Sequence, residues 1–356
     1  MVSSFSSFTP EPTTYKDAVR HECWRKAIID ELKALTDNNT WILTPLPSGK
    51  KTIGNKWIFK VKYNVDGSVE RHKARLVAKG YNQTKGLDYM ETFSPVAKMT
   101  TIRLLLTLAA AHNWFLHQLD VNTAFLHGDL EEEVYMNIPL GMKTAENRGL
   151  VCQLQKSIYR LKQASRQWNH KLSSVLSSHG FIQSRADYSS FVKKFASDFT
   201  AVLIYVDDLL ITGNSLPAIQ SLKIILHDVF TIKDLGDACY FLGMELTRSA
   251  HGITLFQRKY ALQIIEDTGL SNAKPVSCPL DPAIKLQKHG SDLYHDPTAY
   301  RHLIGRLVYL TNTRPDISFS VGLLSQFLET PMIEHHQAAL RILKYVSPAL
   351  GLFFSA

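Results

Sequence analysis

The spacing of apolar residues changes along the chain and predicts a mixture of helices and strands. Helices are predicted over 15–38, 100–112, 156–176, 216–230 and 258–268, and residues 276–356 are predicted to be mainly helical. Within 156–176, polar and basic residues recur at the same helical spacing as the apolar ones, at Lys156, Arg160, Gln163, Gln167 and Lys171. One face of this helix is therefore predicted to pack and the other to meet a ligand.

Strand patterns predict two hairpins. Runs 57–63 and 72–78 are joined around Asp66-Gly67, a dipeptide typical of tight hairpin turns. The apolar runs AVLIY and LLIT within 200–212 predict two buried strands joined by a turn at 206–208. Further strands are predicted over 114–121, 238–246 and 253–256, with a turn-rich connection over 44–55.

Two adjacent acids, Asp207 and Asp208, stand inside the otherwise apolar hairpin. Ionised carboxylates are costly to bury, and adjacent acids at a turn repel each other unless a cation neutralises them. Asp120 ends the predicted strand 114–121 in a similarly apolar setting. Side by side, Asp120 and Asp207 would bind two Mg²⁺ ions about 4 Å apart, an arrangement used for phosphoryl transfer. The alternative is a surface turn whose acids face water, and the flanking apolar runs weigh against it.

Composition narrows the class of protein. The chain has 356 residues, 45% apolar and 20% charged, as expected of two or three folded domains. The cysteines form no CxxC pair, which argues against a disulfide scaffold and favours a reducing compartment. No apolar run approaches the ~20 residues that span a membrane, and residues 1–30 lack a signal-peptide pattern. A cytoplasmic location without a membrane partner is expected.

Positive charge is concentrated in two segments. Residues 50–85 hold ten Lys or Arg and two acids, an excess of eight that equals the formal net charge of +8 of the whole chain. Residues 150–171 hold five basic residues and no acid. Clustered positive charge attracts nucleic acid, and the alternative is a solvated lysine-rich surface. Two clusters beside a candidate acidic metal site favour nucleic acid.

Several sequence blocks, in this order, resemble one polymerase family. Tyr205–Asp208 resembles the YxDD hairpin of reverse transcriptases, and QLDVNTAFLHGDLEEEVYM (118–136) resembles the first catalytic motif of copia-type LTR retrotransposon polymerases. Residues 56–103 resemble the fingers of that branch, and SIYRLKQASRQW (157–168) resembles its second motif. Residues 232–246, 300–317 and 335–346 resemble the later segments. The chain is therefore similar to a piece of a copia-type Pol polyprotein.

The resemblance implies an α+β right-hand polymerase with fingers, palm, a short thumb and a mainly helical connection-like region. It implies a disordered lead-in over 1–14, an N-terminal helical extension over 15–48, the reverse transcriptase core over 49–275 and a partial connection over 276–356, without an RNase H domain. The implied activity is RNA-directed DNA polymerase, a nucleotidyltransferase. Its partners would be an RNA or DNA template with its primer and deoxynucleoside triphosphates. The expected location is the cytoplasm, including retrotransposon particles.

The resemblance also assigns site residues. Asp120 and Asp207, with the carbonyl of Val121, would bind Mg²⁺, or Mn²⁺ in its place, and Asp208 would complete the catalytic acids. Phe125 would be the aromatic gate that excludes a 2′-hydroxyl, with core packing as the alternative. The other assignments are nucleotide contacts by Lys73, Arg75 and Gln163, and a primer grip at Phe241, Leu242 and Gly243. Lys60, Lys62 and Arg71 compete with Lys73 and Arg75 for the triphosphate, and Lys233 is the general-acid candidate.

The chain departs from the family pattern at two positions in the second motif. Arg160 stands where the family has Gly, and Ser165 where it has Pro. These departures motivate an alternative function, a catalytically inactive retrotransposon remnant that only binds nucleic acid. A two-metal nuclease is a weaker alternative, because it has no need for Phe125 or the fingers hairpin. The sequence leaves template preference and oligomeric state open.

Overall fold

The computed structural model describes residues 11–64, 68–281, 283, 286–288, 292–346 and 350–356. The helices are α1 Tyr15–Ala18, α2 Glu22–Asp37, α3 Met99–Ala111, α4 Ala164–Ser178, α5 Leu216–Val229, α6 Arg258–Asp267, α7 Pro297–Leu310, α8 Ser318–Leu324 and α9 Ile333–Tyr345. The strands of the first half are β1 Trp41–Pro45, β2 Thr52–Ile53, β3 Asn55–Tyr63, β4 Val69–Ala78, β5 Phe115–Val121, β6 Asp129–Met136 and β7 Leu150–Lys156. Those of the second half are β8 Ile182–Gln183, β9 Ser190–Phe195, β10 Asp198–Tyr205, β11 Asp208–Gly213, β12 Ile232–Asp237, β13 Tyr240–Phe241, β14 Met244–Ser249, β15 Gly252–Phe256 and β16 Gly351–Ser355.

The central sheet is antiparallel, with strand order β12-β5-β11-β10-β9-β8. Its middle strands are buried on both faces, which explains their continuous apolar runs. Leu119 and Leu209 belong to the apolar cluster that includes α4 and α5. Leu203 and Leu210 belong to the cluster on the opposite face, which includes α3. The predicted strands 114–121 and 200–212 are thereby confirmed as neighbours in one sheet.

The basic hairpin, which is the pair β3 and β4, forms a separate two-stranded sheet. Its apolar face packs on α2, where the ring of Trp24 lies 5.4 Å from that of Phe59 and is fully buried. Because an isolated two-stranded hairpin is marginal in water, the helix supplies the core that the hairpin lacks. The strands were predicted, whereas the predicted Asp66-Gly67 turn lies outside the described residues.

Two further sheets and a helical cluster complete the described fold. One sheet has the order β1-β7-β6-β2 and the other β13-β14-β15-β16. Helices α6 to α9 share a core that includes Tyr300 and Ile304. The prediction of mainly helical structure over 276–356 is confirmed, with β16 as an addition. None of the helices in the described segments is long and apolar enough to cross a membrane.

Two predicted helices were placed wrongly. The range 15–38 contains two helices, α1 and α2, rather than one. The range 156–176 is helical only from Ala164, because Lys156 ends β7 and residues 157–163 form a loop in which Arg160 has a φ of 68°. The predicted ligand-facing stripe from Lys156 to Lys171 is therefore wrong. Residues spaced three or four apart match a helix by chance when a buried loop alternates apolar and polar positions.

Strands that lack an apolar pattern were missed. Strand β12 is largely exposed, β6 begins with a run of acids, and β1 overlaps the predicted turn-rich connection. Their pairing with buried neighbours, rather than their own composition, makes them strands. In the predicted lead-in, residues 1–10 lie outside the described part, whereas Glu11 accepts hydrogen bonds from the Lys60 ammonium at 2.8 Å and the Val61 N–H at 2.9 Å.

Candidate active site

The acids of the central sheet meet at one end of β5, β10 and β11. Asp120 on β5 lies directly opposite Asp208 on β11, and the Val121 N–H donates to the carbonyl of Asp207 at 2.8 Å. The turn between β10 and β11 is tight, with Val206 at a φ of 54°. Residues directly opposite in an antiparallel pair point to the same face. The strand register therefore gathers three carboxylates that are distant in sequence.

A cleft of about 380 Å³ separates these acids from the basic hairpin. It is lined by Ile58, Lys60, Lys62, Arg71, Lys73, Arg75, Asp120, Val121, Asn122, Thr123 and Asp207. In the hairpin, Lys60 pairs with Lys73 and Lys62 with Arg71, so their side chains share one face. An acidic edge thus faces a basic wall across a space that suits a small charged ligand.

Burial and mutual repulsion destabilise the charged form of the acids. The pKa of Asp120 is raised above its ordinary value, first by burial and then by the charge of Asp207, although Lys73, Lys233 and Arg75 oppose the shift. The pKa of Asp208 is also raised by burial, while a hydrogen bond from the Gln118 amide at 3.2 Å opposes the change. Asp208 is not among the residues that line the cleft. The acids therefore form a site that a cation would stabilise.

The donor set fits Mg²⁺. Within the described ranges, no group of three or more His, Cys, Asp or Glu side chains is arranged to hold a metal ion. Mg²⁺, however, needs only one or two protein carboxylates, because water and substrate phosphates complete its octahedron. Asp120 and Asp207 both line the cleft, and the charge of Asp207 contributes to the raised pKa of Asp120. Such a pair fits a hard divalent cation that arrives with a phosphate ligand.

Lys73 and Arg75 differ from the other bases of the cleft. Both are half-buried, whereas Lys60, Lys62 and Arg71 are exposed. Burial, followed by the charges of Arg75 and Arg71, lowers the pKa of Lys73. Lys60 is already bound to Glu11, and Arg71 lies 3.7 Å from Glu70. Neither Lys73 nor Arg75 forms a hydrogen bond or ion pair with a residue of the described segments, so their donors, apart from the buried Arg75 Nε, are available to an anion.

Glu31 of α2 supports this side of the cleft, and sequence patterns gave no sign of it. Its carboxylate accepts a hydrogen bond from the Leu76 N–H at 3.1 Å, on the outer edge of β4. Burial raises the pKa of Glu31, while the hydrogen bond from Leu76 and the charges of Arg75 and Lys73 oppose the shift. The helix thus supplies a partly compensating negative charge behind the basic hairpin.

Phe125 and Gln163 do not line the cleft. Phe125 is partly buried in the short helical turn after β5 and contacts the ring of Tyr159 edge-on at 5.2 Å. Gln163 is fully buried, receives a hydrogen bond from Gln83 at 3.0 Å, and donates to the carbonyl of Asp88 at 2.9 Å. With its amide engaged on both sides, Gln163 fastens the 80–90 loop to the start of α4.

Trp168 of α4 supports the acidic turn. Its indole N–H donates to the carbonyl of Val206 at 2.6 Å, and its side chain is almost completely buried. The hydrogen bond gives a partner to the carbonyl of Val206, which has a left-handed φ at the turn. The sequence indicated a packed Trp168 but not this contact, because a hydrogen bond between distant segments leaves no periodic signal.

The predicted primer-grip residues form a tight hairpin. Strands β13 and β14 meet at Leu242 and Gly243, which have φ values of 50° and 74°. The Tyr309 hydroxyl of α7 donates to the carbonyl of Leu242, and Phe241 is buried in the core beside α3. The hairpin is therefore anchored on both sides.

The two departures from the family pattern have different structural settings. Arg160 is exposed and takes the left-handed φ of 68° that glycine adopts without strain. Its carbonyl oxygen would lie 2.0 Å from a Cβ at Gly80, so the two backbones are in close contact. Ser165 lies in the first turn of α4, where proline is tolerated, and its carbonyl accepts a hydrogen bond from the Ser94 hydroxyl at 3.2 Å. Of these two positions, Arg160 has the strained backbone and Ser165 does not.

The sequence also matches a known protein family. Residues 38–282 match the family described as Reverse transcriptase (RNA-dependent DNA polymerase). The chain belongs to this reverse transcriptase family. Over 346 residues it is 46% identical to the Retrovirus-related Pol polyprotein from transposon RE1 of Arabidopsis thaliana, with 96% of this chain and 24% of the relative covered. The copia-type resemblance of the sequence is thereby confirmed.

The chain is also similar to a further curated protein and to a solved structure. It is 42% identical over 354 residues to the Retrovirus-related Pol polyprotein from transposon TNT 1-94 of Nicotiana tabacum, covering 96% of this chain and 27% of the relative. A solved foamy viral protease-reverse transcriptase in complex with ds DNA has a TM-score of 0.48 and 12% identity, covering 90% of this chain and 47% of that one. The chain spans about a quarter of the length of the curated relatives it matches.

Proposed function

We propose that this chain is an RNA-directed DNA polymerase core, which adds deoxynucleotides to the 3′-hydroxyl of a primer on an RNA or DNA template. The cleft carries this proposal, because Asp120 and Asp207 face an array of five basic side chains across it. The negative triphosphate of a nucleotide complements the basic side of the cleft, and its metal ions complement the acidic side. In the proposed layout the core covers 49–275 and a partial connection covers 276–356.

The acidic edge would bind the metal and align the reacting atoms. Asp120 and Asp207, with the carbonyl of Val121, would hold Mg²⁺ or Mn²⁺. When bound, two such ions lower the pKa of the attacking hydroxyl and stabilise the leaving phosphate oxygens. Asp208 would act from the side, since Gln118 already engages its carboxylate. The register of β5 and β11 keeps these acids at fixed spacing, which favours catalysis by positioning.

The basic wall would bind the triphosphate. Lys73 and Arg75 are the preferred contacts because their donors have no partner in the described segments, whereas Glu11 and Glu70 lie beside Lys60 and Arg71. Ammonium and guanidinium groups stabilise charge on a transferring phosphoryl group. Phe125 would select the sugar, the hairpin of Phe241, Leu242 and Gly243 would hold the primer, and Gln163 would position the nucleotide site through the loop that it fastens.

Primer extension by the purified chain tests the function. An RNA template annealed to a DNA primer is supplied with deoxynucleotides and Mg²⁺, then Mn²⁺, beside an Asp207→Asn variant. We expect extension by the wild type and a loss of about a thousandfold in the variant, since metal binding contributes several kcal/mol to the transition state. Circular dichroism confirms that both proteins fold.

The outcomes separate the candidate functions. Extension that survives Asp207→Asn contradicts the assigned site. A folded wild-type chain that binds template in a salt-sensitive manner without extending it supports the inactive remnant instead. Shortening of the labelled strands that depends on Asp207 supports the two-metal nuclease.

A further inference from the structure

We propose that Tyr159 is a positioning residue, which aims the Arg75 guanidinium into the cleft and supports Phe125 from behind. Tyr159 would thereby set both the affinity for the triphosphate and the choice of sugar. This inference rests on the proposed polymerase function and deepens it, because it identifies a residue that determines nucleotide specificity. Tyr159 is not among the residues that line the cleft, so it would act through those that do.

The contact of Arg75 with Tyr159 is unusual among the charges of the cleft. The guanidinium carbon lies 4.3 Å from the centre of the Tyr159 ring. The Arg75 Nε is buried without a hydrogen-bond partner, and no residue of the described segments forms an ion pair with this side chain. The aromatic face is therefore the surface on which the guanidinium rests. With the Nε buried, the terminal Nη groups of Arg75 are the donors left to bind a phosphate.

The backbone at Tyr159 is fixed to the end of β4. Its backbone carbonyl accepts a hydrogen bond from the Ala78 N–H at 2.9 Å, which fixes the loop 157–163 to the end of β4. Its neighbours Ile158 and Leu161 are buried in the apolar cluster that also contains Ala78. Burial raises the pKa of Tyr159 to about 12, so the hydroxyl stays neutral and adds no negative charge. The platform is fixed by the backbone before any nucleotide arrives.

Phe125 contacts the same ring from another direction. The two ring centres are 5.2 Å apart and the planes make an angle of 83°, an edge-to-face arrangement. Arg75 on β4 and Phe125 after β5 therefore share a support in the loop before α4. Removal of the ring would free both at once, whereas removal of the hydroxyl alone would free neither.

The test separates an aromatic platform from simple core packing. Single-nucleotide incorporation is measured with deoxy- and ribonucleotides for the wild type, Tyr159→Phe and Tyr159→Leu. We expect Tyr159→Leu to raise the KM for the deoxynucleotide about tenfold with a smaller change in kcat, and to reduce the discrimination against ribonucleotides. Tyr159→Phe keeps the ring and is expected to stay within about twofold.

A matched variant controls for the loss of any cation–aromatic pair. The Arg314 guanidinium carbon lies 5.6 Å from the centre of the Tyr345 ring on α9, outside the cleft. Tyr345→Leu removes an equal ring from an arginine–tyrosine pair and is expected to leave the KM and the sugar discrimination unchanged. A KM increase of the same size in Tyr345→Leu would contradict the specific role of Tyr159.

A double-mutant cycle tests whether Tyr159 acts through Arg75. If it does, Tyr159→Leu combined with Arg75→Met has no higher KM than Arg75→Met alone. Fully additive effects would overturn the proposal.

Equilibrium binding of a deoxynucleotide to a complex with a chain-terminated primer gives a second readout that does not need turnover. If the wild type binds the deoxynucleotide but does not extend the primer, the proposed polymerase function fails. In that case a lower affinity in Tyr159→Leu than in Tyr159→Phe would still support the positioning role of Tyr159. Equal affinities in all variants, or no binding by the wild type, overturn the role of Tyr159.

Discussion

The acidic edge of the central sheet and the basic hairpin face each other across one cleft but hold their charges differently. Asp120 and Asp208 lie at the ends of strands buried on both faces, and the sheet register fixes their spacing. Lys73 and Arg75 lie on a hairpin of two strands, whose apolar face depends on α2. Burial, followed by the charge of Asp207, raises the pKa of Asp120. Burial, followed by the charges of Arg75 and Arg71, lowers the pKa of Lys73, so what differs between the two walls is the scaffold that holds the charges.

This difference assigns different tasks to the two walls. Metal ligands require fixed distances, and a buried sheet supplies them. A triphosphate has many oxygens and tolerates more variation in the groups that bind it. Substitutions in the sheet should therefore affect turnover, whereas those in the hairpin should affect affinity for the nucleotide.

The largest expected effect separates two acids of the sheet. Asp120→Asn removes a carboxylate that lines the cleft, and we expect a loss of about a thousandfold in the rate of primer extension. Asp208→Asn alters a carboxylate already bonded to Gln118, and its loss should be at least tenfold smaller, about 1.4 kcal/mol less in the barrier. Single-turnover extension measures both. Equal losses would mean that the two acids share the metal equally.

The next effect tests whether the basic hairpin is a separate unit of stability. Trp24→Ala deletes a fully buried ring between α2 and β3, which costs about 3–5 kcal/mol. We expect faster hydrogen exchange in the amides of β3 and β4 and little change in β10 and β11. Ile29→Ala, on an exposed position of the same helix, is the control. Equal loss of protection in the central sheet would show that the two walls unfold together.

A smaller effect separates two bases of the hairpin. Lys73→Met removes an ammonium without a partner in the described segments, and we expect the KM for the deoxynucleotide to rise about tenfold, as loss of a charge-assisted hydrogen bond predicts. Lys60→Met removes an ammonium already paired with Glu11 and should change the KM by less than about threefold. Steady-state kinetics at fixed template–primer concentration measure the difference. The reverse order would make Lys60 the triphosphate contact.

The smallest effect concerns the stability of the hairpin and its pH dependence. Burial raises the pKa of Glu31 in the folded state, so ionisation above the pKa of the unfolded chain is unfavourable to folding. Glu31→Gln keeps an oxygen for the Leu76 N–H but cannot ionise. We expect the variant to gain stability over the wild type as the pH rises from about 4 to 7, by less than about 1 kcal/mol.

Urea unfolding at several pH values measures this gain. Glu70→Gln, on an exposed position of β4, is the matched control and should show no such trend. A gain for Glu31→Gln at pH 4 as large as at pH 7 would exclude ionisation as its cause.

Local sequence patterns predicted correctly those elements in which burial alone sets the order of apolar and polar residues. The central strands were found because burial on both faces leaves an apolar run that ends at Asp207. Alternation along β4 correctly put Lys73 and Arg75 on one face. The pattern failed at 156–163, where a buried loop imitates helical spacing, and at β12, which is a strand only because β5 lies beside it.

Sequence patterns alone were enough to identify the family, the central strands and the acids at the ends of those strands. Periodicity shows which side of an element is buried, and a carboxylate in an apolar run stands out without knowledge of its neighbours. Three findings needed the folded structure: the basic hairpin lies opposite Asp120, the Gln163 amide is hydrogen-bonded inside the protein, and Arg75 lies over the Tyr159 ring. These contacts join segments far apart in the chain. Their partners are chosen by packing and register, which no local spacing encodes.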